Sequence, residues 1–138
     1  MATTRSATTE WQGTLIEGGG RVTLESSGVG AFDVSWASRA EEANGRTSPE
    51  ELIAAAHSSC FSMAFSGRLA KAGATDPTIR TTAEVDFQPG EGITGVRLHV
   101  TGEAPGVSEE TFRELAEDAK VNCPVSQALA VPISLTVG

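Results

Sequence analysis

Cys60 and Cys123 are the two side chains of this sequence able to do reversible covalent chemistry at neutral pH without a cofactor. The thiolate is the nucleophile, and a thiol of ordinary pKa near 8.5 is only a few per cent ionised at neutral pH, so a working cysteine needs something nearby that favours the anion. Cys60 stands among the small residues Ser58 and Ser59, and Cys123 immediately precedes Pro124, where a thiol would face the positive end of the following helix. A free cysteine is by default a small buried hydrophobe, and position alone leaves both readings open. His57, three residues before Cys60, adds a third ligand type, but a closed zinc site takes four, and His57 reads as a core residue beside the thiol. The serines around Cys60 lack the Gly-x-Ser-x-Gly elbow of a hydrolase. The absence of a Cys-x-x-Cys pair argues against a disulfide oxidoreductase.

The segment that must carry Cys60 has the grammar of a helix. Ser48 suits the N-cap, Pro49 the first helical position, and Glu51, three residues past the cap, completes a capping box. Lys71 suits the negative end of the dipole and Gly73 the left-handed terminating position, so the helix can run to Ala72. From Leu52 to Gly67 it holds no Asp, Glu, Lys or Arg. A helix that is small or apolar all round is buried all round. A chain of 138 residues with one modest sheet has too little else to cover both faces, and a homodimer supplies the cover.

Around that helix the pattern predicts an α+β fold in the order β-β-β-α-β-β-α-α-β, one domain over residues 1–138. Trp11 to Ile16, Arg21 to Glu25 and Phe32 to Trp36 read as an antiparallel sheet, with the triple glycine at 18 to 20 as a hairpin turn. A strand follows those glycines, so they do not cradle phosphate. Ile79 to Phe87 and Val96 to Val100 form a second hairpin across a glycine-rich turn. His99 falls on the outer face of that hairpin with Arg97 and Thr101. Ser108 caps a helix with Glu109 and Glu110 in its first turn that runs to about Lys120. A short helix from Pro124 to about Ala130 follows, and an alternating strand carries Ile133, Leu135 and Val137 on one face.

Composition narrows the partners. The net charge of -8, with no basic run to offset it, repels phosphate backbones and anionic lipid, which excludes nucleic acid as an expected partner. No stretch reaches the length of apolar sequence that spans a membrane. Met1 to Glu10 is Thr-rich with no apolar segment of the secretory kind, so a cytoplasmic location is expected. In that reducing compartment two thiols are reversible chemistry rather than a permanent staple.

With these elements in place two long motifs become specific. The segment Thr47-Ser48-Pro49-Glu50-Glu51-Leu52-Ile53-Ala54-Ala55-Ala56-His57-Ser58-Ser59-Cys60-Phe61-Ser62-Met63-Ala64 resembles the central-helix signature of the osmotically inducible protein C (OsmC) family. Asn122-Cys123-Pro124-Val125-Ser126-Gln127-Ala128-Leu129 resembles that family's second cysteine box, in the expected order. The residues following each cysteine look more like the OsmC branch than the related organic hydroperoxide resistance (Ohr) branch.

The resemblance implies a thiol-dependent peroxidase built as an intertwined homodimer, with antiparallel sheets around long buried central helices. It implies Cys60 as the peroxidatic thiol, Cys123 as the resolving thiol, and Arg39 and Glu50 as their catalytic companions. The stretch between Arg39 and the Thr-Ser-Pro-Glu motif is one residue longer than the usual pattern, which leaves Arg46 as a second candidate. The implied substrates are organic hydroperoxides, with hydrogen peroxide a further candidate, in oxidative or osmotic stress defence. The implied reductant is a lipoyl or thioredoxin-like dithiol, and no metal or organic cofactor is called for.

The roles make physical sense. A guanidinium about 4 Å from the sulfur at an effective dielectric near 20 contributes roughly 4 kcal/mol, about three pKa units before desolvation is subtracted. A carboxylate beside the sulfur acts the other way, so Glu50 orients the arginine and accepts a hydrogen bond from the hydroperoxide. Ten residues at about 1.5 Å rise put Glu50 about 15 Å along the helix from Cys60, which predicts that Glu50 serves Cys60 of the partner subunit. A non-enzymatic redox sensor or small-molecule-binding protein on the same fold is the alternative.

Overall fold

Three short strands open the chain in the computed structural model, which describes all 138 residues. Two units separate by their internal contacts, Met1–Glu50 and Glu51–Gly138. In the first, β1 (Ala7–Gln12), β2 (Gly19–Leu24) and β3 (Ala31–Val34) form an antiparallel sheet in that order. β1 lies four residues earlier than its apolar residues suggest, because the stretch after Gln12 is consumed by a turn. Gly13 adopts a φ of +95°. The Gly18 N–H donates to the Thr14 carbonyl at 2.8 Å, and the Glu17 N–H donates to Thr14 Oγ1 at 3.1 Å. A Cβ on Gly18 would stand 2.3 Å from the Thr14 carbonyl oxygen, so this position admits only glycine. Gly19 and Gly20 belong to β2, opposite Gln12 and Trp11.

Trp36 does not end a strand as expected but begins a five-residue helix, α1 (Trp36–Ala40). Ser35 and Ser38 cap it reciprocally: Ser35 Oγ accepts from the Ser38 N–H at 3.1 Å, and Ser38 Oγ accepts from the Ser35 N–H at 3.0 Å. The Ser38 hydroxyl donates onward to the Thr47 carbonyl at 2.8 Å, and the Thr47 N–H donates to the Asp33 carbonyl at 2.9 Å. These bonds tie the entry of the next helix to β3 and α1.

That helix, α2 (Pro49–Lys71), opens where the proline and its preceding serine place it. It ends in a Schellman arrangement: Gly73 at φ +95° donates to the Ala70 carbonyl at 3.1 Å, and the Ala74 N–H donates to the Leu69 carbonyl at 2.9 Å. Then follow β4 (Thr78–Gln88), β5 (Gly92–Glu103), α3 (Glu109–Asn122), α4 (Pro124–Ala128) and β6 (Ile133–Val137). The order is the expected one with α1 added.

β4 and β5 pair antiparallel, but β6 pairs parallel to β5, with Val96 opposite Ile133, Leu98 opposite Leu135 and Val100 opposite Val137. The second sheet is therefore mixed rather than antiparallel. Parallel neighbours need a crossover of a dozen residues or more, and α3 with α4 provides it. Val96, Leu98 and Val100 turn one face of β5 into the core. Against them lie Phe61, Phe65 and Leu69, spaced four apart along α2, and Ala116, Ala119 and Cys123 from α3 and its end. Phe65 meets Phe112 edge-on with ring centroids 4.8 Å apart.

The opposite face of α2 is not covered in the single chain. Ala55, Ala56, Ser59, Met63, Gly67 and Ala70 are exposed, Met63 by 74%. Charge-free sequence thus produces a one-sided burial here, and its second side is an open apolar stripe. No helix is long and apolar enough to cross a membrane.

Candidate functional site

The core row of α2 continues toward its N-terminus as His57, and between His57 and Phe61 the half-buried Cys60 leans toward the end of α3. Cys123, fully buried, is both the C-cap of α3 and the residue before α4, and its own N–H donates to the Ala119 carbonyl at 2.9 Å. Pro124 at the first position of α4 has no N–H, so the first free donor of that turn belongs to Val125. That donor is directed at the sulfur of Cys60. The two thiols are neighbours and both are reduced.

Burial pushes the Cys60 thiol up; the Val125 N–H pulls it down, and the adjacent Cys123 thiol pushes it up again. Within residues 51–138 burial and the second thiol outweigh the single backbone donor. Ionising Cys60 at neutral pH therefore requires a positive charge from elsewhere.

His57 is fully buried. Its Nε2 lies 2.7 Å from the Ser126 hydroxyl, while Nδ1 has no hydrogen-bond partner. The histidine is thus in the core as expected, but only half satisfied. Burial holds its pKa below 6.5, so the unfolded chain binds the proton more readily than the folded one. This contribution to stability is complete above about pH 6.5 and is lost as pH falls below it. His57→Gln is expected to flatten the acid limb of a urea-midpoint profile, recovering up to about 1.4 kcal/mol of the difference between pH 7.5 and pH 5.5. Parallel profiles for the two proteins would remove His57 from that account.

In the first unit Arg39, from α1, grips Glu50, the second residue of α2, with a fork. Nε reaches Oε1 at 3.0 Å and Oε2 at 3.2 Å, and Nη2 reaches Oε2 at 2.9 Å. The Glu50 side chain is 7% exposed and that of Arg39 31%. A bidentate pair of this kind fixes the plane of the guanidinium as well as its charge. Arg46 is exposed and lines an open groove with Glu10, Trp11, Arg21 and Asp33. His99 is exposed on β5, with Nε2 2.9 Å from the Gly138 carbonyl. No group of three or more His, Cys, Asp and Glu side chains could hold a metal ion.

The four residues singled out in the sequence therefore fall into two pairs, Cys60 with Cys123 and Arg39 with Glu50. Val125 and Ser126 are additions. The proline before Val125 signals a helix start with a free donor behind it, whereas Ser126 enters the sequence reading only as a member of the second cysteine box.

In this α+β chain the long helix α2 sets one free cysteine beside another at the start of α4. The chain belongs to the OsmC family: its residues 42–138 match the family model described as OsmC-like protein. Over 128 residues it is 41% identical to peroxiredoxin OsmC of Escherichia coli strain K12, covering 91% of this chain and 89% of that one. The structure superposes on the organic hydroperoxide resistance protein OhrB of Bacillus subtilis with a TM-score of 0.69 at 25% identity, over 96% of this chain and 98% of that one. An OsmC-like protein of unknown function from Vibrio cholerae shares the fold at 17% identity, with a TM-score of 0.70 over 99% and 100% of the two chains.

Proposed function

We propose that this chain is a cysteine-based peroxidase that reduces organic hydroperoxides, with Cys60 as the attacking sulfur and Cys123 as the resolving one. Its family and its similarity to a peroxiredoxin support hydroperoxide reduction. The single observation that carries the division of labour is the placement of two reduced thiols side by side, one half-buried with a backbone donor on its sulfur and one fully buried.

The Cys60 thiolate attacks the terminal oxygen of the hydroperoxide. The O–O bond breaks, the alkoxide leaves and takes a proton to become the alcohol, and Cys60 becomes a sulfenic acid. The Cys123 sulfur then attacks the Cys60 sulfur, forming the disulfide and releasing the oxygen as water. An external dithiol of the lipoyl or thioredoxin class returns both cysteines to thiols and is itself oxidised to a disulfide.

Arg39 supplies the charge that Cys60 lacks within its own unit, and Glu50 holds the guanidinium in plane. The carboxylate holds the guanidinium through both Nε and Nη2, which fixes its plane. Because Glu50 and Cys60 lie ten residues apart on one helix, the pair serves Cys60 of the partner subunit in a homodimer. The uncharged exposed stripe of α2 is the surface that such a dimer covers.

Single-turnover treatment with cumene hydroperoxide tests the reading. The expected result is loss of both thiols within seconds, one alcohol released per chain and an intact mass reduced by two hydrogens. Retention of both thiols would leave the chain a binding module on this fold.

A further inference from the structure

We propose that the His57–Ser126 hydrogen bond is a positioning clamp that holds the Cys123 segment against Cys60, and that it sets the rate of disulfide closure. The inference rests on the peroxidase reading above. Three observations carry it. First, the bond joins α2 to α4 across 69 positions of sequence at 2.7 Å, and both of its residues are buried. Second, each end of the clamp stands three residues from a cysteine: His57 precedes Cys60 by one turn of α2, and Ser126 follows Cys123 by one turn of α4. Between Ser126 and Cys123 lies Val125, whose N–H is directed at the Cys60 sulfur. The bond therefore ties the turn that carries the second sulfur to the helix that carries the first.

Third, His57 is a poor choice for packing alone. Its Nδ1 is buried with no partner, and an apolar side chain in the row of Phe61, Phe65 and Leu69 would avoid the desolvation of an unpaired nitrogen. The less costly tautomer puts the proton on Nε2, donating to Ser126 Oγ, and leaves a bare lone pair rather than an unmade N–H at Nδ1. What the imidazole adds over a hydrocarbon is the reach of Nε2 to α4.

The clamp acts on the second chemical step. Closure needs the Cys123 sulfur in line with the Cys60 sulfur as the S–O bond breaks and water leaves, and a small misplacement is costly in such a displacement. Attack of Cys60 on the peroxide does not involve Cys123.

The test uses the full chain and stopped-flow oxidation with cumene hydroperoxide, followed by intact mass and sulfenic-acid trapping. Ser126→Ala is expected to slow disulfide closure about tenfold, so that the trapped sulfenic acid accumulates, while peroxide consumption in the first turnover changes by less than about threefold. Ser126→Thr and His57→Gln, which keep a hydroxyl or an N–H at the same reach, are expected to restore closure. If Ser126→Ala does not fold, the double variant His57→Leu/Ser126→Ala removes the bond without stranding either partner and is expected to show the same slow closure. Unchanged closure in either folded variant, or equal slowing of both steps, overturns the clamp. Absence of a disulfide in the unsubstituted chain would instead sink the peroxidase reading itself, and the clamp with it.

Discussion

Cys60→Ser is expected to reduce peroxide consumption to the uncatalysed background, and Cys123→Ser to consume one equivalent per chain and then stall. The first variant removes the only nucleophile placed beside a resolving thiol. The second keeps that nucleophile and takes away the sulfur that closes the cycle. Well-oriented intramolecular groups act at effective concentrations of about 10⁵ M or more, so an external thiol at millimolar level replaces Cys123 poorly, and steady turnover should fall at least about hundredfold. The stalled enzyme should carry a trappable sulfenic acid, and excess peroxide should drive it to the sulfinic acid. Normal turnover in Cys123→Ser would reassign resolution to the external reductant.

The second large effect is electrostatic. Burial and the neighbouring thiol raise Cys60, and the guanidinium of Arg39 is the proposed counterweight, worth up to about three pKa units at 4 Å and an effective dielectric near 20. Arg39→Leu is expected to lower the rate of peroxide attack at neutral pH about hundredfold. The sign can be followed with pH. A raised thiol pKa leaves the anion scarce below that pKa and restores it above, so the deficit should shrink as pH rises toward 10. Alkylation of Cys60 with iodoacetamide across pH reads the same shift. Arg46→Leu is expected to leave both measurements in place, since Arg46 lines a different groove. Arg39→Leu leaves the Glu50 carboxylate buried without its partner. Arg39→Leu/Glu50→Leu is therefore the companion that separates folding from activation. Mixing Cys60→Ser with Glu50→Ala protein should recover about one competent site per heterodimer; no recovery would place Glu50 and Cys60 of one chain at the same site.

Much of this was legible in the sequence because the signals were local. The start of α2 is written in Ser48 and Pro49 and its end in Gly73, and the β4 to β5 hairpin in alternating apolar residues on either side of glycines. What was not legible depends on partners far along the chain. β1 has no apolar alternation of its own and is exposed throughout, so its frame is set only by pairing with β2. α1 hides because Trp36 continues the alternation of β3, and only the reciprocal serine caps stop the strand. The parallel placement of β6 depends on where α3 and α4 deliver the chain. At the site, the motifs named both cysteines, but not which sulfur receives the Val125 N–H. That follows from the crossing of α2 and α4, 65 positions apart.

The parallel seating of β6 beside β5 also couples the second thiol to the sheet. Cys123 sits in the excursion between those two strands, which is held at one end by β5 and at the other by β6. A substitution that unzips β6 therefore slackens the crossover that carries this thiol as well as the edge of the sheet.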